Sequence, residues 1–314
     1  MTETHPHLLE PPASFKEAAR TAFDTLRASD AWCINDNVVV DGLREAAILM
    51  LVKNVDDIIG VNLRHHYHLG FRRFLLLDNN STDRTADIIT RFRLERPDAG
   101  VLHITDFEVA YQQAAKMAAL SLFAEQYFRV SSPPLRWLFF VDADEFITCC
   151  TRRGHEAAAA FNHVLANGDA SVLLFNWAQT ALYSQRHQAL TQFGPTLGET
   201  DLSVWPSMKV SVEKVAVRTR ESLFPTMGNH FVEEFRRSPA VLRNMSEFGF
   251  FMLHMPMRST EQLRRKLEEG VRALDAANLH PSLGGHWRFY ESAYRQDGDD
   301  ALRHFLDAHI QDCL

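Results

Sequence analysis

Short, largely apolar runs alternate along this chain with longer stretches that carry helical periodicity. Ala46 to Val52, Phe71 to Leu77, Val101 to Thr105 and Trp137 to Val141 have strand length, and the continuous ones have the pattern of strands buried on both faces. Between them, Asp56–Leu69, Thr82–Leu94 and Val109–Phe128 read as helices. Gly70 ends the first, Pro97 lies beyond the second, and Ser81 or Thr82 is placed to cap the second at its start. Pro133-Pro134 then punctuates the chain before its most apolar strand. Ala157 to Leu165 adds one more helix and Ser171 to Phe175 one more strand. Strands alternating with helices predict right-handed crossovers and a mostly parallel sheet, so the expected class is α/β.

The ends of the chain follow a different pattern. Residues 1–44 read as an N-terminal extension, with a short amphipathic helix over Phe15–Leu26 and a short strand over Val38–Val40. Residues 181–208 hold turn formers and few apolar runs, which predicts a long loop of the kind that carries function. Lys209–Val217 and Phe248–Leu253 read as further strands. Ser259-Thr260-Glu261-Gln262 matches a capping box and predicts a helix running to about Ala277, and Asp299–Ile310 reads as a surface helix.

Composition narrows the class of partner. The 314 residues carry 33 Lys and Arg against 40 Asp and Glu, a formal balance of −7, so the chain lacks the basic surplus of a general nucleic-acid binder. No apolar run approaches the ~20 residues that span a bilayer, and the residues from Met1 to Pro12 do not read as a signal peptide. Cys33, Cys149, Cys150 and Cys313 show no metal-type spacing, and the adjacent pair disfavours a structural disulfide, so reduced thiols in a cytoplasmic protein are expected.

The chemistry concentrates where strands end. Trp137 to Val141 runs straight into Asp142-Ala143-Asp144-Glu145. Side chains two apart on a strand share a side, so Asp142 and Asp144 can converge at the sheet edge where open parallel sheets bind ligands. Two carboxylates held there repel each other unless a cation offsets them, and oxygen ligands suit Mg²⁺ or Mn²⁺. The plainer alternative is a pair of acids capping a turn. Val52-Lys53-Asn54 and Asp78-Asn79 also follow buried strands, so all three clusters are expected at one crevice. There, Asp78 could accept hydrogen bonds from a base or ribose, with the main chain around Val52 bracketing the base. No glycine-rich phosphate loop is present.

These residues resemble a known family. Val52-Lys53-Asn54, His66-x-x-x-Gly70, Asp78-Asn79-x-Ser81-x-Asp83-x-Thr85 and Asp142-x-Asp144-Glu145-Phe146 look like the nucleotide-sugar half of a family 2-like glycosyltransferase with the GT-A fold. The match is to the bacterial subgroup whose acid motif is followed by Glu-Phe. Trp177, Lys209, His230, His254-Met255-Pro256-Met257-Arg258-Ser259, Lys266 and Gly270 extend the likeness over roughly residues 46–275.

The resemblance implies a mostly parallel central sheet flanked by helices, with a transferase domain over residues 45–280 and a C-terminal helical tail over 281–314. Within the domain, about 46–150 would take the nucleotide sugar and about 151–280 the acceptor. Val52, Lys53, Asn54, Asp78, Asn79, Asp142 and Ala143 would line the nucleotide-sugar site. Asp142 and Asp144 would hold a divalent metal, with His254 as a third metal ligand or a diphosphate contact, while Arg258 and Lys266 would neutralise the departing diphosphate. The implied reaction is a hexosyl transfer, expected to invert, from a uridine diphosphate sugar to a carbohydrate or glycolipid acceptor in polysaccharide assembly. It would take place in the cytoplasm or at the inner face of the membrane.

Two departures from the family pattern are visible. Val55, followed by Asp56 and Asp57, stands where the family usually has Glu, and no aromatic-glycine pair follows Trp177. Trp177 reads as a sugar-stacking or a core residue, and His230 as an acceptor-side or a turn residue. Lys209 reads as a phosphate ligand or an edge-strand charge. Glu199 and Asp201, in the irregular loop, are the candidate bases, although acids there are also ordinary solvated charges. His65, His66 and His68 are expected to pack structurally. A sugar-phosphate nucleotidyltransferase and a non-catalytic nucleotide- or carbohydrate-binding module are the competing readings.

Overall fold

A computed structural model of the chain describes residues 13–29, 31–167, 169–181, 197, 212–219, 224–232, 242–278 and 284–313. The first four strands are β1 (Ala46–Val52), β2 (Arg73–Asp78), β3 (Gly100–Thr105) and β4 (Trp137–Phe140). They lie in the order β3-β2-β1-β4, all parallel, with Ile48 opposite both Phe74 and Phe139. The connecting helices are α2 (Ile59–Leu69), α3 (Thr85–Glu95) and α4 (Gln113–Tyr127), preceded in the chain by α1 (Ala13–Ala28). Every one of these strands therefore delivers its carboxyl end to the same edge.

Beyond β4 the sheet becomes mixed. The remaining strands are β5 (Glu145–Cys149), β6 (Val172–Gln179), β7 (Glu213–Arg218), β8 (Leu242–Asn244) and β9 (Phe250–His254), and α5 (Gly154–Ala166) separates β5 from β6. The order continues β4-β7-β6-β9-β5, and β8 pairs with β6. Pairings β4–β7, β6–β7 and β5–β9 are antiparallel, whereas β6 runs parallel to β8 and β9. Parallel pairings are the majority among the described residues. The α/β architecture expected from the strand–helix rhythm is present, with α6 (Thr260–Ala276), α7 (Gly285–Asp297) and α8 (Asp299–Cys313) closing the chain.

Alternation along the strands divides the core between the two faces. Ile48, Met50, Phe74, Phe139 and Phe161 pack on one side, and Ala47, Leu49, Leu75, Leu138 and Phe140 pack with Met117 and Leu120 of α4 on the other. Burying each large apolar side chain contributes about 1.5–3 kcal/mol, which explains why the central strands show no polar alternation. No described helix is long and apolar enough to cross a membrane.

Several local expectations need correction. Val38–Val40 is not a strand: Val38 and Val40 are buried and Val39 is exposed, but the segment leads into a 3₁₀ turn over Asp41–Glu45. The second crossover helix begins at Thr85, and Asp83 rather than Ser81 or Thr82 accepts from the Thr85 N–H at 2.9 Å. Ser81 Oγ instead accepts from the Asn54 N–H. The strand Glu145–Cys149, which follows the acid motif after only a turn, was not anticipated. The last helix is no free surface element either, since Leu302, Leu306 and Ile310 pack against Leu263 and Leu267 of α6 in a small separate core. The expected 181–208 loop, Glu199, Asp201 and Lys209 lie outside the described residues, apart from Ala181 and Leu197, which are buried.

Candidate functional site

The site is built on the turn between β4 and β5. Asn62 of α2 is fully buried and donates from one amide nitrogen to the carbonyls of Ala143 (3.0 Å) and Glu145 (2.7 Å). His66, one helical turn later, accepts the Ile147 N–H on Nε2, so its Nδ1 carries the proton and donates to Asn62. His65 Nε2 bonds to the Ile147 carbonyl at 2.8 Å. Burial holds both imidazoles below their ordinary pKa, and the two act as struts under the acid turn, in agreement with their structural reading.

The two acids of the motif have different surroundings. Asp142 is partly exposed, and its Oδ2 accepts from Lys214 Nζ at 2.6 Å. Its N–H donates to Glu145 Oε2 at 2.9 Å. Asp144 is buried, accepts from Lys266 Nζ at 2.8 Å and has Arg258 Nη1 at 3.7 Å. Burial alone would raise the Asp144 pKa, but Lys266, His254 and Arg258 override it and hold the carboxyl well below the usual range. The cations that offset the two acids here are thus lysines of the chain itself.

Glu145 lies wholly inside, where burial pushes its carboxyl up to about 8 despite Lys214 at 3.0 Å. It accepts the indole N–H of Trp177 at 2.9 Å. The Trp177 ring stacks on His254 at 4.0 Å between centroids and meets His230 edge-on at 5.2 Å. His230 bonds through Nδ1 to the Glu213 carbonyl at 2.9 Å, and burial and Lys214 lower its pKa to about 4. Trp177 and His230 therefore stand beside the acid turn.

His254 ends β9 opposite Glu145. Its Nδ1 donates to Gln179 Oε1 at 3.1 Å, and burial keeps the ring neutral, so the Nε2 lone pair faces Asp144 Oδ1 at 3.9 Å. A neutral imidazole oriented by an amide and a carboxylate held ionised are the nitrogen and oxygen donors that Mn²⁺ or Mg²⁺ accepts. Among the described residues, no group of three or more His, Cys, Asp or Glu side chains is arranged to hold a metal ion. Asp142, the third expected ligand, is engaged by Lys214.

Arg258 is buried and forks onto Asp57, Nε to Oδ2 at 2.7 Å and Nη2 to Oδ1 at 3.1 Å. Asp57 thus supplies an acid close to where the sequence showed Val55 in place of Glu. The residues expected to form a nucleoside rim meet at the β1 and β2 ends. Lys53 Nζ donates to the Asn79 carbonyl (2.7 Å), the Asn79 N–H donates to the Val52 carbonyl (2.9 Å), and Asn54 Oδ1 accepts the Thr82 N–H (2.7 Å). The Asp78 carboxylate is buried, bonded to the Ser81 N–H at 2.8 Å and to His103 at 3.0 Å, and these bonds outweigh burial to hold it below its ordinary pKa. It braces the rim from beneath.

Sequence reasoning overlooked Lys214, Asn62 and Asp57. A lysine directly ahead of the apolar run Val215-Ala216-Val217 was the available signal for the first. The other two look like ordinary helix and loop polar residues until the tertiary structure brings partners to them.

No family model and no curated protein matches the chain. Solved structures of low similarity do. A mannosyltransferase of Pyrobaculum calidifontis, in complex with GDP-Man and Mn²⁺, has a TM-score of 0.32 and 14% identity over 51% of this chain, which spans 45% of that protein. HddC from Yersinia pseudotuberculosis has a TM-score of 0.35 and 8% identity, covering 73% of this chain and 98% of its own. The mannosyltransferase Ktr4p of S. cerevisiae has a TM-score of 0.27 and 12% identity, covering 60% and 54%. Their likeness is too distant to assign a residue or a substrate.

Proposed function

We propose that this chain is a divalent-metal-dependent glycosyltransferase that moves a sugar from a nucleoside diphosphate, with uridine as the expected base, to a carbohydrate or glycolipid acceptor. The observation that carries the reading is Asp144: a buried, ionised carboxylate at the strand-end crevice, ringed by Lys266, Arg258 and the free lone pair of His254. Asp144 and His254, with Asp142 beside them, are the residues that would hold the metal. A bound Mn²⁺ or Mg²⁺ would offset diphosphate charge. Lys266, partly exposed, is the cation best placed to turn from Asp144 toward a phosphate.

The rim of Val52, Lys53, Asn54 and Asn79 faces the nucleoside, and Trp177 with His230 faces the acceptor. Transfer with inversion needs a base for the acceptor hydroxyl, and Glu199 and Asp201 are the proposed candidates.

Thermal unfolding with a panel of nucleoside diphosphates, each with and without Mn²⁺, tests this reading. One diphosphate is expected to raise the melting temperature in a metal-dependent way, by about 2.7 kcal/mol of stabilisation at a hundredfold excess over its Kd. No shift with any of them would overturn it.

A further inference from the structure

Lys214 has no role in the reading above, yet its placement is unusual. Its side chain is 1% exposed, in the interior of β7. Lysine is almost never fully buried unless it is paired. The ammonium has three N–H donors and three acceptors around it: Asp142 Oδ2 at 2.6 Å, Glu145 Oε1 at 3.0 Å and the Gly228 carbonyl at 2.6 Å. The Trp177 ring lies 5.5 Å from the nitrogen. These contacts bring three segments to β7: the acid turn, β6 with Trp177, and the turn over Met227–Asn229 that leads into His230.

Each partner is itself fixed. Glu145 holds the Asp142 main chain through its other oxygen and Trp177 through the indole N–H. Gly228 (φ 80°) and Asn229 (φ 58°) both lie in the left-handed region, where the turn depends on outside support. Asn229 in turn reaches Asp142 Oδ1 at 3.4 Å, so Lys214 and Asn229 grip opposite oxygens of the same carboxylate. Asp142, the more exposed of the two acids, is thereby confined to one orientation from within the protein.

We infer that Lys214 is a positioning residue: an interior ammonium that sets the orientation of the Asp142 carboxylate and ties the His230 turn to it, so that the crevice is formed before any ligand arrives. This rests on the proposed transferase only for what Asp142 then binds, since the positioning itself is a property of the chain. A lysine serving only as counter-charge would have no need of the Gly228 carbonyl.

Lys214→Met leaves the buried Glu145 and the partly exposed Asp142 without their shared cation, so the informative protein is the double variant Lys214→Met/Glu145→Gln, compared with Glu145→Gln alone in the full chain. Crystal structures of both are expected to show Asp142 in the native rotamer in Glu145→Gln, and turned or in several rotamers in the double variant with the 227–230 turn displaced. A native Asp142 and turn in the double variant would overturn the inference. Titration calorimetry with uridine diphosphate and Mn²⁺ is the second readout, with at least tenfold weaker binding expected in the double variant than in Glu145→Gln. Equal affinity in the two would also overturn the inference. If neither the wild-type protein nor the variants bind any nucleoside diphosphate, the transferase reading fails while the crystallographic comparison still decides the role of Lys214.

Discussion

At the scale of single residues, charge pairing in a dry setting decides what each acid does. Asp144 owes its depressed pKa to three cationic or polar neighbours, so its replacement removes the charge around which they are arranged. Asp144→Asn is expected to keep the fold, by circular dichroism, and to lower sugar transfer by about 10²–10³-fold in a donor-turnover assay, the scale of losing one electrostatic contact at a reacting centre. Undiminished turnover would remove Asp144 from the site. Arg258→Met leaves the half-buried Asp57 without its fork, and about 3 kcal/mol of stability should be lost in chemical denaturation. A change near zero would show that Asp57 is satisfied elsewhere. Asp142 and Asp144 were legible in the sequence because an apolar strand leads straight into them. Lys214 was not, because one lysine in a strand is read by period as an edge charge, and only the packing of β7 between β4 and β6 turns it inward.

Among elements, the crevice depends on joints more than on strand interiors. Gly70 closes α2 at φ 135°, and a Cβ there would lie 2.4 Å from the Val40 carbonyl oxygen. Gly70→Ala is therefore expected to cost about 2 kcal/mol or more, read from the denaturation midpoint, whereas a tolerated alanine would mean that the Val40 segment yields. Ser259 caps α6 by accepting the Gln262 N–H at 3.1 Å, and that helix carries Lys266 to Asp144. Ser259→Ala should cost about 1 kcal/mol by the same measurement. Half of the expected capping box is present: Gln262 accepts from the Arg258 N–H and not from Ser259. Helix starts were misplaced by about three or four residues at Ile59, Thr85 and Gln113 because polar turns before them share helical composition, and side-chain acceptors such as Asp83 fix the first turn only once the strands are in place.

Across the whole molecule, buried imidazoles set the response to acid. His230 falls from 6.5 to about 4 in the folded chain, and His66 and His254 are lowered well below 6.5, each chiefly by burial. The unfolded chain takes up these protons first, so stability is full above pH 6.5 and is lost as pH falls toward 4, by about 3 kcal/mol for His230 alone. Glu145, raised to about 8, acts in the opposite direction with a single proton. Melting temperatures measured from pH 7 to pH 4 should therefore decline, with a shallower decline for His230→Asn, and a flat profile would contradict neutral burial of these rings. The strand–helix alternation, the two-faced apolar strands and the acids at a strand end were determined by local sequence alone, because periodicity and burial act over neighbouring residues. The mixed half of the sheet, the pairing of each acid with its own lysine and the meeting of Trp177, His230 and His254 were decided only by tertiary structure. These partners lie tens of residues or more from one another in the chain, and their chemistry exists only after folding has removed the water between them.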